Sequence, residues 1–182
     1  NFDSGNDNGW TKIGNKWNVQ DGKYYGGRAV PAGGENRSFI GDQEWTDYTI
    51  TLDANLLNGP GYGVYFRATD FSAVDAYCFQ YDPGYNLPNG SFIVRKVTNG
   101  NEANVPLARY DLSAGYSWRD NEKSIKIEVS GSTFKAYVSD VNAGSSPVIT
   151  FSDSSFSTGA IGLRTWSNAY ASFDNITVTQ NK

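Results

Sequence analysis

The sequence predicts an all-β domain, an antiparallel sandwich of two sheets, and three observations predict it. No long stretch places apolar residues at helical spacing. Short runs of aromatic and β-branched residues alternate with period two along the chain. Twenty glycines and six prolines among 182 residues, with 15% aromatics, supply tight turns and bulky packing groups. The length suits one domain with a full core, taken as residues 1–182. Roughly a dozen strands at short spacing pack most economically as two facing sheets.

In chain order, residues 1–8 are polar and turn-like and carry Asp3 and Asp7. Short strands are expected at 10–13, 16–20 and 23–26, separated by the Gly14-Asn15 and Asp21-Gly22 turns. A loop at 31–34 and a strand at 36–40 follow. WTDYTITLDAN, 45–55, puts Tyr48, Ile50 and Leu52 on one face and Asp47, Thr49, Thr51 and Asp53 on the other. That is a strand with one wetted face.

The chain is organised around GYGVYFRATDFSAVDAYCFQYD, 61–82, which reads as two strands in the middle of a sheet. In the first, Tyr62, Val64 and Phe66 oppose Gly63, Tyr65 and Arg67. In the second, Tyr77, Phe79 and Tyr81 oppose Ala76, Cys78, Gln80 and Asp82. The second set is small, polar and partly aromatic, which suits a sugar better than a core. DPGYNLPNG, 82–90, is too rich in Pro, Gly and Asn to be regular, and its tip, with Tyr85, is expected to overhang a sheet face.

Further strands are expected at 91–97 and 103–108, with a loop at 111–120 that has room for one helical turn. A hairpin of 124–129 and 133–139 turns at Ser130-Gly131, and a loop at 141–147 leads to a strand at 148–151. Strands at 159–166 and 170–179 close the domain. In the last, Ala171 and Phe173 share one parity and Ile176 and Val178 the other, which predicts a bulge at Asp174-Asn175.

Composition excludes several functions. A net charge of -4 and a pI near 4.8 offer no basic face for nucleic acid. No apolar run approaches the ~20 residues that span a bilayer, so membrane insertion is not expected. With no histidine, His-based triads, His-ligated zinc and histidine acid–base catalysis are excluded. Cys78 has no partner for a disulfide and is expected as a small sheet residue. Asn1 falls inside what reads as folded sequence, as expected of a mature protein or an excised module.

Arg67, Gln80, Arg95 and Arg164 come from four expected strands, and convergence of their side chains is the central expectation. Planar donors and acceptors of this kind bind adjacent sugar hydroxyls in pairs. Tyr65, Tyr85 and Trp166 supply flat apolar faces for the C–H side of a sugar ring. Asp82 completes the expected ligand-binding set; the alternative is that these arginines simply pair with Asp82 or Asp53 on a solvated face.

The order of features resembles a known group. It comprises W-x-V-x-D-G (17–22), W-T-D-Y-T (45–49), G-V-Y-F-R-A-T-D (63–70), the aromatic strand ending Tyr81-Asp82, R-K-x-x-N-G (95–100), and the final G-x-I-G-L-R…F-D-N-I-x-V (159–178). Together they resemble the concanavalin A-like lectin/glucanase superfamily. Within it the chain is most similar to laminin-G-like jelly rolls, family 66 carbohydrate-binding modules and 3-keto-disaccharide hydrolase domains.

The resemblance implies a jelly roll whose concave face or rim takes a carbohydrate. It also implies a structural calcium on the convex side, for which Asp3 and Asp174 are the candidate ligands, with a carbonyl near Gly41-Asp42. The alternative for Asp174 is that it caps its own bulge. Glu35, Glu44, Glu102, Glu122 and Glu128 do not form the E-x-D-x-x-E spacing of the glucanases, so no catalytic residue is assigned; Glu35 is a possible sugar acceptor. The expected function is non-catalytic carbohydrate binding by a monomeric module, bacterial and secreted or at the cell surface, within a larger enzyme, adhesin or pilus protein. A polysaccharide lyase or hydrolase and a laminin-G-like protein adhesion module are the alternatives.

Overall fold

The computed structural model describes residues 1–27 and 34–181. Most of the loop expected at 31–34 lies outside the described residues. The strands are β1 (Thr11–Ile13), β2 (Trp17–Gln20), β3 (Lys23–Gly27), β4 (Glu35–Ile40), β5 (Tyr48–Asn58), β6 (Tyr62–Thr69), β7 (Asp75–Asp82) and β8 (Ser91–Thr98). They continue as β9 (Asn101–Glu102), β10 (Ala108–Asp111), β11 (Lys123–Ser130), β12 (Thr133–Val138), β13 (Ile149–Ser152), β14 (Ala160–Trp166) and β15 (Tyr170–Gln180). Helix is confined, among the described residues, to one 3-10 turn at Asn142–Gly144, and no helix is long and apolar enough to cross a membrane.

Two antiparallel sheets form the expected sandwich. One runs β1-β4-β14-β6-β7-β8-β10 with β9 added to β8, and the other runs β13-β12-β11-β5-β15-β3-β2. Period-two alternation built it. Tyr48, Ile50, Leu52, Ala54 and Leu56 of β5 are all buried, while Thr49, Thr51 and Asp53 face out. Tyr62, Val64 and Phe66 of β6 and Tyr77, Phe79 and Tyr81 of β7 enter the same core from the facing sheet. Tyr62 stacks on Tyr81 at 4.8 Å and Tyr81 on Phe92 at 5.4 Å, offset contacts that aromatic pairs prefer.

The bulge in β15 is present. Its register with β5 shifts between Asp174 and Thr177, and Asn175 takes a positive φ of 50°. Past it, Ile176 and Val178 pack on the core despite their changed parity. The strand expected at 103–108 is replaced by β9 and β10. Pro106 cannot donate to a ladder, and the Ala103 and Asn104 carbonyls turn instead to Arg95 Nη1, each at 2.6 Å. The region 111–120 holds no helical turn.

A second bulge lies in β6 at Arg67, which the plain alternation of 61–69 did not announce. The register shifts between Phe66 and Thr69 against β7, and between Ala160 and Gly162 against β14. Arg67 has φ 54°, a conformation uncommon outside glycine. The Tyr48 hydroxyl holds it by accepting the Arg67 N–H at 2.7 Å. Opposite, a Cβ at Gly159 would sit 2.1 Å from the Arg67 carbonyl carbon, so the bulge needs glycine there.

Candidate functional site

The outer face of the first sheet is divided across its strands. Phe39, Tyr65, Ala68, Ala76, Cys78 and Val97 form a second apolar cluster with Val74 of the β6–β7 connection. Phe71 of that connection lies flat on Phe39, with centroids 4.6 Å apart and planes 5° apart. Farther along the same strands the residues turn polar: Arg37 and Glu35 on β4, Arg164 on β14, Gln80 and Asp82 on β7.

The register fixes the polar row. Arg37 pairs with Arg164, Arg164 with Gly63, and Gly63 with Gln80. Gly63, in the middle of this row, is buried and has no room for a side chain; a Cβ there would meet Cys78 Sγ at 2.7 Å. The Glu102 carboxylate spans the gap, accepting from Gln80 Nε2 on one side and Arg164 Nη1 on the other. Arg164 Nη2 donates to Glu35, whose other oxygen accepts from Arg37 Nε at 2.6 Å. Arg37 in turn donates to the Gly100 carbonyl at 3.0 Å. The result is a continuous chain from Arg37 through Glu35, Arg164 and Glu102 to Gln80.

Aromatic faces flank it. The Arg164 guanidinium lies 4.8 Å from the ring of Trp166, and Arg95 lies 5.4 Å from that of Tyr85. Both rings are half-buried. Such cation–π contacts fix ring orientation while leaving an edge or a face accessible. Asp82 Oδ1 accepts the Gly84 N–H at 2.9 Å and so shapes the start of the loop that carries Tyr85.

Burial sets the electrostatics. It would lower the Arg164 pKa, but Tyr65, Cys78, Glu35 and Glu102 reverse that and hold the guanidinium charged. Burial raises Asp82 above the ordinary carboxylate range. It also pushes the Cys78 thiol up to about 12, so this cysteine stays protonated and inert. Three arginines (37, 95, 164) and three carboxylates (35, 82, 102) leave this half of the face without net charge.

Of the four expected side chains, Gln80 and Arg164 meet at Glu102; Arg95 lies on the same face but turns to the Ala103 and Asn104 carbonyls and the Tyr85 ring, and Arg67 leaves the face. The bulge swings Arg67 off this face into the space between the sheets. There it is 2% exposed, with Nη2 on Asp47 and on the Gly131 carbonyl. Tyr65 keeps the expected parity, but it lies inside the second apolar cluster at 0% exposure and presents no ring to solvent. Sequence reasoning passed over Glu102 and Arg37 as members of this face. Glu102 was legible through its turn: Asn99-Gly100 closes a hairpin in which Glu102 pairs with Val97, which puts it on the face of Arg95.

Asp3 and Asp174 flank one turn. Asp3 Oδ1 lies 3.1 Å from where a Gly22 Cβ would stand, and Asp174 acts on the neighbouring Lys23 ammonium. Asp174 Oδ1 is buried with no hydrogen-bond partner. No set of three His, Cys, Asp or Glu side chains gathers there or elsewhere among the described residues, so carbonyl oxygens would have to complete a cation site. The Asp42 carbonyl, near the expected third ligand, accepts the Trp45 N–H at 3.2 Å.

The strand order defines an antiparallel β-sandwich of concanavalin A-like jelly-roll fold. Residues 1–179 match the 3-keto-alpha-glucoside-1,2-lyase-like domain, and the chain belongs to that family. No curated protein matches the chain. Among solved structures, the carbohydrate-binding module CBM66 from Bacillus subtilis is similar at 24% identity and a TM-score of 0.75, over 93% of this chain and 94% of that one. The VIP36 exoplasmic/lumenal domain, in its Ca2+/Man3GlcNAc-bound form, is similar at 12% identity and a TM-score of 0.71, over 95% and 85%. The legume lectin-like domain from Entamoeba histolytica follows at 10% identity and 0.68, over 96% and 91%. Identity this low carries the fold and not the ligand.

Proposed function

We propose that the chain is a non-catalytic carbohydrate-binding module that takes a neutral sugar on the polar half of its first sheet's outer face. The observation that carries this reading is the chain of planar groups from Arg37 to Gln80, with the half-buried Glu35 and Glu102 at its surface and the half-buried rings of Tyr85 and Trp166 on its flanks. Free lone pairs on the half-buried Glu35 and Glu102 accept hydroxyl protons, the half-buried Arg37 and Arg95 donate, the buried Arg164 and Gln80 hold the two glutamates in place, and the rings take the C–H side of the sugar. The even charge balance favours a neutral sugar over an acidic one. The named ligands and roles of the similar proteins support the reading. The setting proposed is extracellular, as a monomeric part of a larger secreted enzyme, adhesin or pilus protein.

Calorimetry against a panel of neutral and acidic polysaccharides tests it. Saturable binding of a neutral sugar, lost in Tyr85→Ala and Arg95→Ala, is the expected result. Silence across the panel, or binding that both variants retain, would refute it. A structural calcium on Asp3 and Asp174 is part of the proposal, because the orphaned Asp174 oxygen is an acceptor without a donor. It predicts a melting temperature that rises with calcium and falls with a chelator, a response that Asp174→Asn removes.

A second reading is favoured by one observation. Arg164 draws Glu35 and Glu102 onto its two Nη atoms, which brings two carboxylates together in a family described by a lyase activity. New reducing ends or an unsaturated product released from a polysaccharide or glucoside panel, abolished by Glu102→Gln, would establish an enzyme. Binding without product would exclude that reading for the panel tested.

A further inference from the structure

A second hollow, mostly apolar in its lining, lies away from the sugar-facing row, where the β6 bulge redirects Arg67 toward the β11–β12 turn. It is a cavity of about 270 Å3 lined by Thr46, Asp47, Arg67, Ser132, Ser154 and Phe156. The hydroxyl-bearing residues at its mouth are exposed, and Phe156 is half-buried beside them. Its floor is a guanidinium that is 2% exposed.

That guanidinium is under-used. Nη2 donates to the Gly131 carbonyl at 3.0 Å and to Asp47 Oδ1 at 3.2 Å. Nε is buried with no partner, and no hydrogen bond engages Nη1 among the described residues. A strut between sheets needs only the Nη2 contacts. Leaving the other N–H groups of a desolvated cation unmatched is costly, because a buried donor that makes no bond has given up its water and gained nothing in return.

The one ion-pair partner does not cancel the charge evenly. The Asp47 side chain is 41% exposed while Arg67 is 2% exposed. Water screens the anion far more than the cation, so the guanidinium dominates the potential at the floor. The backbone is also committed to this placement, through the positive φ at Arg67 and the Tyr48 hydroxyl that holds its N–H. Bulges commonly re-aim a side chain in this way.

We propose that this cavity binds a carboxylate group, either on a free small carboxylate or on a uronic acid. One carboxylate oxygen accepts from Arg67 Nη1, the hydroxyls of Ser132 and Ser154 donate to the other, and the Phe156 ring walls the apolar side. Charge-assisted bonds of this type are about twice as strong as neutral ones, which is why a neutral polyol is the poorer occupant.

The test follows the Arg67 Nε–Hε signal by NMR during titration with sodium acetate, sodium glucuronate and glucose at constant ionic strength. The expected result is a saturable shift with a carboxylate and none with glucose. Saturation by glucuronate as well as acetate assigns the uronic acid; saturation by acetate alone assigns a free small carboxylate. In Arg67→Lys, which lacks that signal, the backbone amide shifts of Ser132 and Ser154 serve as the readout, and their saturable response to acetate should be lost. Should that variant fail to fold, the double variant Ser132→Ala/Ser154→Ala alters only exposed side chains, and it should weaken binding about fivefold per lost hydrogen bond with an unchanged melting temperature. A shift that never saturates, an equal response to glucose, or full binding by the double serine variant would overturn the proposal.

Discussion

Replacing Arg164 by methionine isolates what the polar row contributes to the fold. The Arg164 side chain is 5% exposed and joins Glu35 to Glu102 across the sheet. The variant leaves Glu102 with Gln80 alone, whereas Glu35 retains Arg37. Breaking one side of a buried ion pair costs about 3–5 kcal/mol. The glutamates keep 20% and 26% of their side chains exposed, so water repays part of that cost. A loss of about 3 kcal/mol follows, or about 6–12 °C in melting temperature for a domain of this size.

Urea unfolding followed by tryptophan fluorescence reads the change directly. Glu102→Gln preserves the acceptor oxygen and loses only the charge, so it should cost about 1 kcal/mol. In the double variant the two losses should fall short of their sum by about 1–2 kcal/mol, because both remove the same contact. A loss below about 0.5 kcal/mol for Arg164→Met, or strict additivity, would refute the idea that this bridge ties the face together.

Further outcomes are expected elsewhere. Tyr48→Phe removes the acceptor of the buried Arg67 N–H and should cost about 1–3 kcal/mol in urea unfolding. An unchanged midpoint would mean the bulge does not depend on that hydroxyl. Burial raises the Asp82 pKa, so the folded state holds this proton more tightly than the unfolded chain does. Stability is therefore lost as pH rises from the unfolded value through the raised folded value, and the penalty is complete above it. Asp82→Asn keeps the oxygen that accepts the Gly84 N–H, so it should be more stable than the parent at pH 7 and equal to it near pH 3. A difference independent of pH would contradict this. The calcium response is the remaining outcome, checked by thermal melts of the parent and Asp174→Asn with calcium and with chelator.

Most strands were legible because a half-buried strand alternates, and β5 shows the alternation without interruption. The β15 bulge was legible for the same reason: the parity of its apolar residues changes at Asp174. The Arg67 bulge was not legible, since Arg67 keeps the expected alternation in sequence while its backbone leaves it in space. What turns it is Gly159, far along the chain and just before β14, and the Tyr48 hydroxyl on the other sheet. Tyr65 was misread for a related reason. Its parity is right, but the lid that buries it comes from Phe71 and Val74 in a connection whose path a local pattern does not specify. Glu102 sat two residues past a recognised turn and needed the hairpin register to be placed. Local periodicity thus fixed which face a residue takes wherever no bulge intervenes; whether that face is open depended on chain crossing it from elsewhere.

The most direct measurement is a crystal structure with the tightest-binding panel sugar. The sugar should lie over Glu102 between Tyr85 and Trp166, with hydroxyls on Glu35, Glu102 or Arg95. A sugar seated on the outer face of the β5-containing sheet, or at a loop end away from Arg164, would contradict the assignment of this face.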